Sequence, residues 1–159
     1  MSPKRRSQHG RRPPDGKPLD CETHSPQELR AQEQEWMKKY GWYMHYVPGD
    51  SDVPQGFVNA HTHGLEESWG HYDLQVVIPL DQRTVNGVLQ SAVDLVKAGT
   101  KIVPGEDYEK IIKNYKVRFA WAKESDRRVL RMILPDAQGR ISPHTMEPTW
   151  ARQWEGTEE

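Results

Sequence analysis

The chain is poor in cysteine: Cys21 is the only one among 159 residues. A single thiol excludes an intramolecular disulfide and any zinc site built from several cysteines. That usage fits a reducing compartment, so a cytoplasmic location is the default expectation. Phenylalanine is scarce as well, with two residues against six Trp and six Tyr. Aromatic burial therefore relies on side chains with a polar tip, which favour core edges, pockets and interfaces. No apolar run approaches the ~20 residues needed to span a bilayer. The basic N-terminus is not followed by an apolar stretch, so it does not read as a secretory signal. Neither sign of charge dominates, since the formal net charge is −1, and binding to nucleic acid through overall charge is not expected. Phosphate-cradling glycine loops and the Gly-x-Ser-x-Gly nucleophile elbow are missing too.

What remains is a polar chain with a modest core: 35% of residues are hydrophobic and 28% charged. Its length suits one domain with a real core and is too short for two ordinary ones. Residues 1–24 hold Lys4, Arg5, Arg6, Arg11, Arg12 and Lys17 with almost nothing apolar. A segment of that composition cannot offset its ordering entropy, so a disordered basic tail is expected. Contacts of this tail with phosphates would be salt-sensitive and without sequence preference. Residues 25–155 form the single domain, and 156–159 an acidic end.

The domain opens with a helix. Ser25 can cap it, Pro26 fits its first position and Glu28 completes a capping box. It should run to about Lys39, with a thin apolar side of Leu29, Trp36, Met37 and Tyr40. Strands are expected over Gly41–Val47, Gly56–His63 and Tyr72–Ile78, with Gly64–Gly70 as the turn that makes the last two an antiparallel hairpin. Asp81 caps the clearest helix, whose face is Val85, Val88, Leu89, Ala92, Val93 and Val96 and whose end is Gly99. A shorter helix is expected from about Glu106, with Tyr108, Ile111, Ile112 and Tyr115 on one side. Lys116–Lys123 alternates as a half-buried strand, and Val129–Leu134 is another, joined by a charged turn over Glu124–Arg128. Pro135–Gly139 reads as a turn, and Trp150 and Trp154 can pin a last short helix. The fold class is α+β: an antiparallel or mixed sheet of about five strands with helices mainly on one face.

The stretch Asn59-Ala60-His61-Thr62-His63-Gly64, then Gly70-His71-Tyr72-Asp73, carries the chemistry. Residues two apart on a strand share a face roughly 6–7 Å apart, so Asn59, His61 and His63 form one row. A hairpin would bring His71 and Asp73 near it. Imidazoles with a carboxylate are the donors of a hydrolytic zinc site or a facial-triad iron site. His61, His63 and His71 are thus the candidate ligands of a divalent metal such as zinc, and Glu66 or Glu67 a candidate base. The plainer reading is a polar strand edge or hydrogen-bonded core histidines. His45, in an aromatic strand, reads as structural. His-x-His also opens the amidohydrolase metal motif, but that barrel needs about 250 residues.

His61-Thr62-His63-Gly64-Leu65 followed by Trp69-Gly70-His71-Tyr72-Asp73-Leu74 resembles a bacterial family known as domain of unknown function 4262. Pro104-Gly105 after Gly99, Tyr115-Lys116-Val117-Arg118-Phe119, and Leu134-Pro135-Asp136 with Gly139-Arg140 are similar to later landmarks of that family, in the same order. The resemblance covers roughly residues 40–145. It implies an aromatic at the position of His61, an aliphatic at that of His63 and a proline at that of Tyr72, so the His pair would mark a subgroup. It also implies that a site shared by the family would draw on Thr62, His71, Asp73 and Asp136.

Two functional classes follow, and the sequence leaves open whether the chain is an enzyme. One is a small-ligand- or metal-binding domain around His61, Thr62, His63, His71, Asp73 and Asp136, with hydrolysis as the reaction such a site would support. The other is a non-catalytic partner-binding protein of the immunity or adaptor kind, recognised through a Tyr/Trp-rich surface. The first requires convergent histidines in a concavity; the second requires an exposed apolar patch.

Overall fold

A computed structural model describes residues 10–12, 19–20, 25–48 and 54–158. The expected disordered tail falls mostly outside the described residues, as do Cys21 and the last residue. Two pieces of that tail are placed, however: β1 (Gly10–Arg12) and β2 (Leu19–Asp20) are short strands at the edge of the sheet. The domain proper runs α1 (Pro26–Tyr40), β3 (Tyr43–Pro48), β4 (Val58–His63), α2 (Leu65–Trp69), β5 (Leu74–Ile78) and α3 (Gln82–Lys97). It continues through β6 (Asp107–Ile112), β7 (Tyr115–Glu124), β8 (Arg127–Ile133) and α4 (Pro148–Ala151), and ends in a 3-10 turn, Arg152–Trp154.

The strands lie in the order β2-β1-β3-β4-β5-β8-β7-β6. Strands β3 to β8 form a six-strand mixed body, one more strand than expected, within an α+β fold. β5 and β8 are the parallel pair, and all other neighbours run antiparallel.

The additional strand is the segment for which the sequence suggests a helix. The segment after Glu106 is β6, not a helix. The spacing of Tyr108, Ile111, Ile112 and Tyr115 matches a helical face, but Asn114 takes φ 70° and turns the chain back on itself. Ile112 then pairs with Tyr115. Asn is among the few residues that tolerate this backbone. Tyr108 meets Phe119 edge-on at 5.7 Å, and its hydroxyl accepts the Val103 amide at 2.7 Å. The irregular register between Tyr108 and Ile112 is a bulge that accommodates the helical spacing in a strand.

Local signals set the helices. Ser25 Oγ accepts the Glu28 amide, and Asp81 accepts the Thr84 amide and hydroxyl. α3 then buries Val85, Leu89, Ala92, Val93 and Val96 on the sheet. Each fully buried Val or Leu is worth about 1.5–3 kcal/mol. Strand alternation supplies the opposing layer: Met44 and Tyr46, Ala60, Leu74 and Val76, Phe119, Leu130 and Met132 join the same core. α1 reaches the opposite face of the sheet, where Trp36 lies 6.0 Å from Tyr43. The C-terminal turn is pinned by a glutamine more than by its tryptophans. Gln153, fully buried, accepts the Leu134 amide and donates to the Leu134 and Trp150 carbonyls.

Candidate metal centre

The pleat of β3 and β4 puts alternate residues on the face away from α3. On that face His45 lies opposite His61 in the pairing, and Tyr43 opposite His63. The three imidazoles close into a cluster. Ring centroids are 4.9 Å apart for His45 and His61, 4.9 Å for His61 and His63, and 5.9 Å for His45 and His63. One donor nitrogen from each lies within 4.8 Å of the other two. His61 is buried, while His45 and His63 are half-buried. Tyr43 stacks on His63 at 5.1 Å and an interplanar angle of 21°, which fixes that ring.

The three donors could hold a metal ion, although their spacing of up to 4.8 Å is wider than a tetrahedral site uses. Zinc bonds imidazole at about 2.0–2.1 Å, so tetrahedral donors stand about 3.4 Å apart.

A charged chain runs outward from the cluster. His61 Nε2 lies 3.5 Å from Glu124 Oε1. The other oxygen of Glu124 accepts Arg127 Nε at 2.6 Å. Arg127 Nη1 donates to Asp73 at 2.7 Å, and Nη2 to the Thr62 carbonyl at 2.7 Å. Asp73 also accepts the Thr62 hydroxyl at 2.7 Å and the Leu65 amide at 3.2 Å. Burial pushes the Asp73 carboxyl up, against the opposing pull of Thr62, Arg127 and Leu65.

A row of polar side chains extends across the same face. The pairing aligns His45, His61, Gln75 and Arg131 on four consecutive strands. Gln75 accepts Arg131 Nε at 2.9 Å and donates to Asn59 at 3.2 Å. Arg131 Nη1 donates to the carbonyls of Gln153 and Glu155. Burial lowers the Arg131 guanidinium to about 10, against the nearby Glu155 charge. Beside His61 these residues line a cavity of about 200 Å³ with Asn59, Gln75, Glu124 and Arg131 in its wall.

The expected site residues separate into groups. His61 and His63 are brought together with His45, whereas Thr62, alternating with them along β4, bonds Asp73, and that pair reaches the cluster only through Arg127 and Glu124. His71 stays outside the cluster. Its Nε2 accepts the Ile102 amide at 3.1 Å and its Nδ1 faces the Tyr72 carbonyl at 2.8 Å. These partners require the neutral Nδ1–H form, with both ring nitrogens engaged. His45, read from the sequence as structural, occupies the third position of the cluster where His71 was expected. Asp136 is also apart. It accepts the amides of Gln138, Arg140 and Glu147 and the Arg140 guanidinium, and so locks the turn before α4. Glu66 and Glu67 are exposed on α2.

Glu124, Arg127 and His45 were hidden in the sequence. The first two read as ordinary turn charges, and His45 gains meaning only from its pairing with His61.

The family model for a domain of unknown function, DUF4262, matches residues 36–128. The chain belongs to the DUF4262 family. Comparisons with curated proteins and with solved structures return no match. The DUF4262 segment includes β3 to β7 and the first residues of β8, and with them all three clustered histidines, Thr62, Asp73, Glu124 and Arg127. Asp136 and the C-terminal turn that Arg131 holds lie beyond it.

Proposed function

We propose that this DUF4262 protein binds a divalent metal such as zinc through His45, His61 and His63, and that the bound ion serves hydrolysis of a small substrate. The convergence of three imidazole donors within 4.8 Å carries this reading. Three histidines with an open fourth position are the donor set of catalytic rather than closed structural zinc. When bound, such an ion supplies a Lewis acid and a water acidified toward neutral pH. The chain's own residues would do the rest. Glu124 orients the His61 ring, as a carboxylate does for a metal-ligating histidine, and is placed to take a proton from a water in the adjoining cavity. Arg127 holds Glu124 in that position. The 200 Å³ cavity is below the usual 300–1,000 Å³ of ligand sites and so favours a small substrate.

The partner-binding alternative asks for a broad exposed apolar patch. Among the described residues, Tyr72, Val103 and Tyr115 are the exposed large hydrophobics, and the first two share one cleft. That distribution favours a ligand site over a protein-docking face.

Elemental analysis of protein purified without a His-tag tests the metal reading, beside a His61→Ala/His63→Ala variant. Near-stoichiometric metal, lost in the variant, is the expected result. Absence of metal, together with no rise in melting temperature on adding Zn²⁺, overturns it. Hydrolysis is tested with activated carboxylic and phosphate esters. Turnover should vanish with a chelator and return with Zn²⁺.

A further inference from the structure

We infer that the cleft between α2, the end of α3 and β7 is a second binding site, separate from the histidine cluster, for a planar aromatic carboxylate. The cleft has a volume of about 630 Å³, within the range of small-molecule sites. Trp69, Tyr72 and Trp121 form one wall, and Ile102, Val103 and Pro104 the other.

The site is held in shape before any ligand arrives. The Ile102 amide donates to His71, the Val103 amide to the Tyr108 hydroxyl and the Gly105 amide to the Phe119 carbonyl. The first bond joins the two sides of the cleft and the other two tie the Ile102–Gly105 segment to β6 and β7, so less entropy is lost on binding. This also gives His71 a role that its burial demands: it joins the two walls.

The mouth carries exposed apolar side chains. Tyr72 is 46% and Val103 39% exposed, and both sit at this cleft. Tyr72 and Trp121 meet in a T-shaped pair with ring centroids 4.7 Å apart. A flat π-system is the partner that such edges and faces favour.

Charge selects an acid. No carboxylate lines the cleft, while Lys101 does. Lys97 Nζ lies 5.8 Å from the centre of the Trp69 ring. Neither lysine forms an ion pair among the described residues. Lys101 at the cleft, with Lys97 over the Trp69 ring beside it, complements one negative group at the edge of a ring system.

The probe is 2-naphthoate, titrated into the full-length protein and followed by indole N–H shifts in ¹H–¹⁵N spectra. Methyl 2-naphthoate and octanoate are the comparison arms. Saturable binding of 2-naphthoate that shifts Trp69 and Trp121 and persists in a chelator is expected. Val103→Glu, at an exposed rim position that leaves folding intact, should weaken it by about tenfold or more. A Lys97→Ala/Lys101→Ala variant should weaken it by about threefold. Absence of saturable binding overturns the site. Equal affinity for the neutral ester overturns the acid, and tighter binding of octanoate overturns the aromatic ligand. Because the chelator removes any metal, these outcomes are independent of the histidine cluster.

Discussion

His61 faces His45 across the β3–β4 pairing, with ring centroids 4.9 Å apart and planes at 75°. An edge-on pair directs nitrogens of both rings to one region, and His63, two residues further along β4, completes it. Removing one of the three imidazoles should cost more metal affinity than removing anything behind them. We expect His45→Ala to weaken Zn²⁺ binding by more than a hundredfold, and Glu124→Gln by about 10–100-fold, the usual effect of a residue that orients a ligand. His71→Ala should leave affinity unchanged, yet destabilise the fold by about 1–3 kcal/mol because the Ile102 amide loses its acceptor. Competition with a chromophoric chelator measures the first effect and urea unfolding the second. Loss of affinity in His71→Ala would assign that histidine to the metal after all.

Arg127 is the joint between the cluster and the buried acid. It bonds Glu124, Asp73 and the Thr62 carbonyl at once. Its removal leaves Asp73 buried without its cation, and hydrogen bonds to charged groups are worth about 1.5–3 kcal/mol each in such places. Arg127 is itself partly exposed, so the lower part of the range applies. We expect Arg127→Met to destabilise by about 2 kcal/mol in denaturant unfolding and to weaken metal binding through the freed Glu124. A variant as stable as the parent would show that Asp73 is held by Thr62 and Leu65 alone.

Gly64 ends the His-Thr-His strand with φ 105°. A Cβ there would lie 2.4 Å from Met37 Sδ and 2.7 Å from the Gly41 carbonyl oxygen. The methionine can move; the backbone oxygen at the end of α1 cannot move without unseating that helix cap. Left-handed strain and overpacking each cost about 1–3 kcal/mol. Gly64→Ala should therefore lose about 3 kcal/mol, read as a lowered urea midpoint with an unchanged slope. Gly70→Ala, where a Cβ meets nothing within 4 Å, should lose less.

Caps and turns were legible because they are local. Ser25 and Asp81 reach three residues ahead, so their function is written within a four-residue window. The α3 face was legible for the same reason, and so were the alternating positions of β7. The helix expected after Glu106 failed because its apolar spacing is ambiguous over six residues, and the decision lay in the turn at Asn114. The candidate site was half legible. His61 and His63 share a strand, so their common face followed from the pleat. His45 could not be chosen without the β3–β4 register, which is set by the pairing of distant segments. His71 looked closer in sequence than it is in space, because the single turn of α2 directs the chain toward the segment after α3 before β5 begins. Glu124 and Arg127 depend on a parallel β5–β8 neighbourhood that no local signal announces.

Asp136 offers a test by pH. Its burial alone would raise the carboxyl, but the amides of Glu147 and Arg140, the Arg140 guanidinium and the Gln138 amide outweigh it and hold the group at about 2. The unfolded chain has an aspartate near 3.9. An acid depressed on folding binds fewer protons in the native state, so it contributes stability above the unfolded value and loses it as pH falls through the folded one. The window is therefore about pH 4 down to 2. Asp136→Asn keeps the shape and one carbonyl acceptor but does not titrate. The stability difference between parent and variant should be constant at pH 5–7, shrink below pH 4, and still be falling at pH 2, levelling off only below it. Asp73, whose shift has the opposite sign, is present in both proteins and cancels in the difference. Guanidinium unfolding of the pair at pH 2, 3, 4 and 6 measures it. A difference independent of pH would mean that the turn before α4 is held by its backbone geometry and not by the charge of Asp136.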